Sequence, residues 1–381
     1  MKRNSCESLS AAVAIRARFR GAFFAFLLLA FSALTLPAKG QEISGPSQVC
    51  PNQDATYTFQ FFYAFQWRFM GWSIMDGSGQ VMSTSGLSAV VRWSAGPGTL
   101  VAHYQYQEPD VFPPTWIDGS AYFQVVVNPA PVPTLSGPAN VCVGTVGNVY
   151  VTQSGMSNYV WSVSPGGSIT AGGGSSSNTV TVSWTGTGSQ TVSVNYTQGC
   201  AAANPTVFGV NVNPLPTLFT VGGTASICSG STTTVTLSGS QTGVNYQLRR
   251  DGTNVGTAVA GTGAALSWAG QNTAGSYTVV ATNTSTTCSQ AMTGSATLTV
   301  NPLPTLFIVG GTASICSGSS TTVTLSGSQT GVNYQLRRDG TNVGTPVAGT
   351  GAALSWAGQN TAGSYTVVAT NTSTTCSQAM T

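Results

Sequence analysis

Apolar and polar residues alternate with a period of two through much of this chain, and Gly and Ser punctuate the runs. The pattern is clear in Thr233-Thr234-Val235-Thr236-Leu237, Val244-Asn245-Tyr246-Gln247-Leu248, Leu266-Ser267-Trp268 and Ser276-Tyr277-Thr278-Val279-Val280-Ala281, and Ala296-Thr297-Leu298-Thr299-Val300 closes the series. Successive side chains of a strand point to opposite faces, so β-branched and aromatic residues at alternate positions predict half-buried strands. Arg250-Asp251-Gly252-Thr253 supplies an Asp-Gly turn, and its demand for positive φ suits a tight hairpin returning through Val255. With Leu218-Phe219-Thr220-Val221 at the start, about seven short strands in fewer than about 90 residues predict an antiparallel β-sandwich.

This stretch is written twice. Residues 213–293 recur at 301–381, an offset of 301 − 213 = 88, and only Thr220/Ile308, Thr232/Ser320 and Ala258/Pro346 differ. A fixed period of this size marks an array of small modules. The joints are a recurring strand end followed by prolines: Val127-Asn128-Pro129-Ala130-Pro131, Val212-Asn213-Pro214-Leu215-Pro216 and Val300-Asn301-Pro302-Leu303-Pro304. Proline cannot continue a sheet ladder and favours extended, semi-rigid backbone, so these read as linkers. The expected organisation is a leader at 1–40 and four modules at 41–128, 129–213, 214–301 and 302–381. The last copy stops at the counterpart of Thr293, without an equivalent of Ala296 to Val300, and is expected to be truncated with an open sheet edge.

The first two modules are a second type. Tyr159-Val160-Trp161-Ser162-Val163, Val180-Thr181-Val182-Ser183-Trp184 and Val192-Ser193-Val194-Asn195-Tyr196 are answered in the first module by Trp72-Ser73-Ile74, Val90-Val91-Arg92-Trp93 and Val101-Ala102-His103-Tyr104. Their openings also agree, Ile43-Ser44-Gly45-Pro46-Ser47-Gln48-Val49-Cys50 against Leu135-Ser136-Gly137-Pro138-Ala139-Asn140-Val141-Cys142. The Gly-Pro-x-x-Val-Cys opening, the Trp161 strand with Gly166-Gly167 after it, and the Asn-Pro-Leu-Pro joint resemble PKD-like modules of large Bacteroidetes surface proteins. The repeated pair resembles the Ig-like repeats of the same proteins, in which Ala274-Gly275-Ser276-Tyr277-Thr278-Val279 is similar to the Tyr-bearing strand that turns a corner between sheets. The resemblance implies an all-β tandem array of Ig-like and PKD-like sandwiches and, as in many such proteins, an adhesin exported by the type IX secretion system. A sorting domain usual in those proteins is not visible here, and the motifs specify fold more than activity.

At the start, Lys2, Arg3, Arg16, Arg18 and Arg20 precede an apolar run from Ala22 to Leu36, too short to span a bilayer, and small residues at Ala38-Lys39-Gly40 place a cut before Gln41. An uncleaved anchor is the alternative. The leader changes the charge picture. It holds six of the 12 bases and one of the nine acids, so the net +3 of the whole chain becomes (12 − 6) − (9 − 1) = −2 without it. Binding to nucleic acid through phosphate neutralisation is therefore not expected.

Cys142 and Cys200 are 58 residues apart, and Cys228/Cys288 and Cys316/Cys376 are each 60 apart, which predicts one disulfide within each of three modules. Buried free thiols are the alternative. Cys50 is left without a partner, expected to be buried or unpaired, or to join another chain.

No catalytic constellation is evident. His103, the single histidine, falls in a strand pattern and is expected on a strand face; Asp76, Asp110 and Asp118 are isolated, and Asp76-Gly77-Ser78-Gly79 reads as a turn. No cofactor or metal site is expected. Trp72, Trp93, Trp161, Trp184, Trp268 and Trp356 are expected in cores. The candidate binding residues are Trp67 and Trp116, the latter in a loop-like 112–116, together with Arg249-Arg250 and their copies Arg337-Arg338, which recur at a pitch suited to avidity. The first module also gathers Phe59, Phe61, Phe62, Tyr63, Phe65, Trp67, Phe69 and Trp72. The reading is a secreted or cell-surface protein outside the outer membrane, not an enzyme, acting as adhesin or spacer stalk on a surface glycan or protein ligand. The alternatives are a carbohydrate-binding or spacer arm of a secreted hydrolase, and a purely structural surface-layer component.

Overall fold

The computed structural model describes residues 40–62, 66–108 and 111–381. The expected leader lies outside the described residues, as do Tyr63, Phe65 and Asp110. The fold is all-β, and the described residues contain no helix. They form two compact units, divided between Val127 and Asn128.

In the first unit, one sheet runs in the order Glu42–Ser44, Gln53–Gln60, Ser88–Trp93, Gly79–Ser85, and the other Gln48–Val49, Trp116–Val127, Gly98–Gln107, Trp67–Asp76. Tyr57, Phe59, Trp93 and Leu100 fill the space between them. The expected strand positions around Val90, Val101 and Trp72 are all occupied by strands. Trp116 departs from expectation: it opens the strand Trp116–Val127 instead of sitting in a loop.

In the second unit, three further cores follow in chain order, centred on Trp184, Trp268 and Trp356. The repeated pair builds the same three-stranded sheet twice, and beside it a larger sheet of seven strands in the third sandwich and five in the fourth. A three-stranded sheet holds Thr233–Leu237 in its middle, and a larger one is built on Val244–Arg250 and Gly275–Asn283. The hairpin predicted from Asp-Gly forms with φ of 48° at Asp251 and 83° at Gly252. Asp251 tolerates the left-handed region in part because its Oδ1 accepts a hydrogen bond from Ser276 N at 2.9 Å. Tyr277 is buried and donates from its hydroxyl to Thr273 O at 2.8 Å, tying the start of its strand to the preceding turn.

One feature breaks the antiparallel expectation. Each of the first three sandwiches pairs a short strand in parallel with its last strand: Gln48–Val49 with Trp116–Val127, Asn140–Cys142 with Thr206–Asn213, and Ala225–Cys228 with Ala296–Asn301. The Asn of the joint then locks the pair. Asn213 Nδ2 donates to Val141 O at 3.3 Å, and Asn301 Nδ2 donates to Ser226 Oγ at 2.7 Å and Ile227 O at 3.3 Å.

The shared Ser-Gly-Pro opening has a packing reason. Tyr150 donates from its hydroxyl to Pro138 O at 3.1 Å and accepts from Trp184 Nε1 at 3.2 Å. Tyr57 does the same with Pro46 O at 3.2 Å and Trp93 Nε1 at 3.1 Å. The Tyr rings lie so close over the glycines that a Cβ at Gly137 would fall 2.3 Å from Tyr150 Cδ1, and one at Gly45 2.4 Å from Tyr57 Cδ1.

Burial holds both phenols above their ordinary pKa, opposed by the indole hydrogen bond, which favours the phenolate. A pKa raised on folding contributes stability that is complete below the unfolded value and is lost as pH climbs toward the folded one. The first two sandwiches are therefore expected to weaken above about pH 10. Tyrosinate absorbance should show a delayed phase that coincides with loss of near-UV dichroism. The phase should be absent in Tyr57→Phe/Tyr150→Phe.

Candidate functional site

The cysteines carry the main correction to the sequence reading. Cys142 is joined to Cys288, with Cα atoms 5.6 Å apart, and Cys228 to Cys376 at 5.5 Å. The bridges run between successive sandwiches and not within them. Cys50 and Cys200 are disulfide-bonded as well, so Cys50 is not the unpaired thiol expected, and Cys316 is an exposed free thiol.

Strand register explains why. Cys228 ends the strand paired to Ala296–Asn301, with Cys228 opposite Asn301 at the exit of the third sandwich. The strand Gly275–Asn283 begins beside that exit, Gly275 facing Leu298, and runs away from it, so Cys288 beyond its far end lies at the entrance. There Gln290 Nε2 donates to Pro216 O at 2.8 Å. The two cysteines of one sandwich thus sit at opposite ends, and each faces a neighbour's across a proline joint.

Of the candidate binding residues, Trp67 is half-buried and stacks on Phe61 at 4.7 Å between centroids. Most of the aromatic cluster is core: Phe59 is fully buried, and Phe61, Phe69 and Trp72 pack around it, with Phe62 exposed. Arg249 and Arg337 are half-buried and donate across their own hairpins to Asn254 Oδ1 at 3.1 Å and Asn342 Oδ1 at 3.0 Å. Arg250 and Arg338 are also half-buried, and their stems lie against Gly275 and Gly363, where a Cβ would be 2.8 and 2.7 Å from the respective Cγ. These arginines brace the turn.

Trp116 is different. It is 38% exposed, on the outward face of the sheet of Trp67–Asp76, Gly98–Gln107 and Trp116–Val127. Arg68 Cζ lies 4.5 Å from its ring centroid. The same guanidinium donates from Nε to Gln105 Oε1 at 2.7 Å, and Gln105 Nε2 donates to Asp118 Oδ1 at 2.6 Å. Register places these side chains together: Arg68 is opposite Gln105, Gln105 opposite Asp118, and Gln107 opposite Trp116. Tyr122 and Met70, 61% and 55% exposed, lie on the strands that carry Trp116 and Arg68. An indole plate held by a cation beside a carboxylate and an amide can stack on an apolar sugar face while accepting and donating to hydroxyls. Sequence reading found Trp116 but not Arg68 or Gln105, because only cross-strand register brings residues 37 apart into contact.

His103 lies on a strand, as expected, with Ser73 Oγ 2.6 Å from Nε2 and Ser120 Oγ 3.2 Å from Nδ1. A hydroxyl on each nitrogen orients the ring but supplies no carboxylate to stabilise an imidazolium, the role a triad acid plays. Asp54 is on the other sheet, its carboxyl held below the usual range by the hydrogen bonds of Arg92 at 2.7 and 2.8 Å.

Residues 128–210 match the model of the PKD-like domain family. Among solved structures the chain is similar to the N-terminal eight Ig domains of Down Syndrome Cell Adhesion Molecule, at 14% identity and a TM-score of 0.30, covering 90% of this chain and 54% of that one. It therefore spans about half the length of that structure. It is also similar to immunoglobulin domains 1-4 of Sidekick-1, at 12% identity and a TM-score of 0.23, covering 88% and 95%. A marsupial T cell receptor matches at 12% identity and a TM-score of 0.29, covering 65% and 98%. No curated protein matches. Disulfides are consistent with an extracellular or surface location, and no described helix is long and apolar enough to cross a membrane.

Proposed function

We propose that this protein is an exported adhesive array of sandwiches at 41–128, 129–213, 214–301 and 302–381. In this reading the array holds the Trp116 face of the first sandwich toward a surface glycan or protein ligand. The observation that carries it is the bridging of successive sandwiches by Cys142–Cys288 and Cys228–Cys376. Such bridges do nothing for chemistry at a site but hold a proline joint against bending and extension. Display outside a Bacteroidetes-type outer membrane after type IX export belongs to the same proposal. A second reading, a carbohydrate-binding arm of a secreted hydrolase, is favoured by the indole, guanidinium and carboxylate set at Trp116, Arg68 and Asp118.

The test is binding of the fluorescently labelled full chain to arrays of glycans and surface proteins, beside Trp116→Ala. A ligand lost by more than about tenfold in the variant supports the adhesive face, as truncation of a central aromatic anchor should. No ligand on either array, or binding indifferent to Trp116, overturns it. Selective capture of an insoluble polysaccharide moves the assignment to the hydrolase arm.

A further inference from the structure

Trp116 stands at one end of a longer face. In the sheet of Trp116–Val127, Gly98–Gln107 and Trp67–Asp76 the central strand is paired on both sides, and register sets the outward side chains in rows. Trp116 shares the first row with Gln107, and Asp118, Gln105 and Arg68 form the second. Ser120, His103 and Gly71 make the third row, and Tyr122, Val101 and Ser73 the fourth. The central strand is the floor: His103 and Gln105 are half-buried and Val101 is buried. Arg68 on one side, and Asp118 and Tyr122 on the other, stand exposed. Gly71 adds no side chain to the third row, and a Cβ there would meet nothing within 4 Å. Trp116 and Tyr122 are six residues apart on one strand. At roughly 3.3 Å per residue, that separates the two aromatic positions by about 20 Å.

We infer that this face is an extended seat for a neutral, unbranched glycan several sugars long, lying along Trp116–Val127 with Trp116 and Tyr122 as its end plates. The inference deepens the adhesive reading and rests on its glycan half. Length follows from the separation of the plates, since one sugar ring covers one aromatic ring and only a run of sugars reaches both. Neutrality follows from charge. Between the plates lie one cation, Arg68, and one carboxylate, Asp118, joined through Gln105, and a second carboxylate, Asp76, lies one row beyond Tyr122. An acidic chain would meet two carboxylates against a single guanidinium. The remaining polar groups suit hydroxyls. Ser73 Oγ and Ser120 Oγ lie 2.6 and 3.2 Å from the ring nitrogens of His103, and each hydroxyl has capacity for a further bond. The Asp118 carboxylate and the Gln105 amide likewise have sites to spare beyond the bond they share. A peptide fits less well, because the floor strand is paired on both sides and offers no main-chain edge for strand addition.

The experiment titrates cellohexaose, xylohexaose and mannohexaose into the intact protein by calorimetry, beside the matching disaccharides and a galacturonate hexamer. At least one neutral hexasaccharide is expected to bind about tenfold or more tighter than its disaccharide. Tyr122→Ala should weaken that hexasaccharide by about tenfold, and Tyr122→Phe should retain it, because the ring face remains. Equal affinity for hexasaccharide and disaccharide, or hexasaccharide binding indifferent to Tyr122→Ala, overturns the inference. If Trp116→Ala still abolishes binding in that case, the adhesive reading stands without it. Tighter binding of the galacturonate hexamer than of every neutral chain also overturns the inference. So does silence from all three neutral hexasaccharides, and capture of a surface protein through Trp116 would then keep the adhesive reading on its protein side.

Discussion

Removing the bridge between the third and fourth sandwiches, by Cys228→Ala with Cys376→Ala, is expected to lower the melting temperature of that pair by roughly 10 °C or more and to split one transition into two. The bridge closes a sequence separation of 148 residues. In the chain-entropy account a loop of that length restrains the unfolded ensemble by about 5 kcal/mol. For a span of this size about 1 kcal/mol corresponds to about 2–4 °C. The splitting follows from where the bond lies. A bridge within one sandwich would stabilise that sandwich alone, whereas this one makes the unfolded fourth sandwich hold an end of the third. Calorimetry of the intact and doubly substituted proteins measures both effects. Peptide mapping without reduction should return Cys142 with Cys288 and Cys228 with Cys376, with Cys316 alkylated. A melt unchanged within about 2 °C, or a map joining Cys228 to Cys288, would refute the coupling.

Trp184→Ala is expected to cost about 3–5 kcal/mol and to unfold the second sandwich near room temperature. Trp184 is fully buried among Tyr150, Val180 and Val182. Gly167 lies flat against its ring, where a Cβ would fall 2.5 Å from Cζ3. Losing the indole leaves a large void and also removes the donor to Tyr150 Oη, whose own bond to Pro138 O anchors the opening of the module. Trp184→Phe separates the two contributions. It keeps most of the ring volume, loses the hydrogen bond, and should cost about 1–2 kcal/mol. Denaturant titration followed by near-UV dichroism reads the second sandwich. Equal losses for the two variants would show that the hydrogen bond, not the filled volume, holds this core.

Much of this was legible along the chain. Period-two alternation located strands such as Thr233–Leu237, because a sheet with one buried face imposes that period on the residues themselves. The Asp251-Gly252 turn and the burial of five tryptophans, at 93, 161, 184, 268 and 356, were equally local in origin. The candidate face was half visible: Trp116 stood out as an aromatic, while its partners Arg68, Gln105 and Asp118 lie on three strands and meet only through register.

What the sequence by itself determined is the all-β repeat, its strands and turns, and the presence of cysteines at a fixed place in each module. What only the tertiary structure decided is which cysteine meets which. Periodic spacing is satisfied equally by pairs 60 residues apart within a copy and by pairs 148 apart across a joint. The choice was made by the direction in which strands run. The parallel strand ending at Cys228 points to the exit and the strand before Cys288 points to the entrance, so a bond within one copy would have to cross the length of the sandwich. A disulfide reaches only about 6 Å between Cα atoms, and distance in space overrode proximity in sequence.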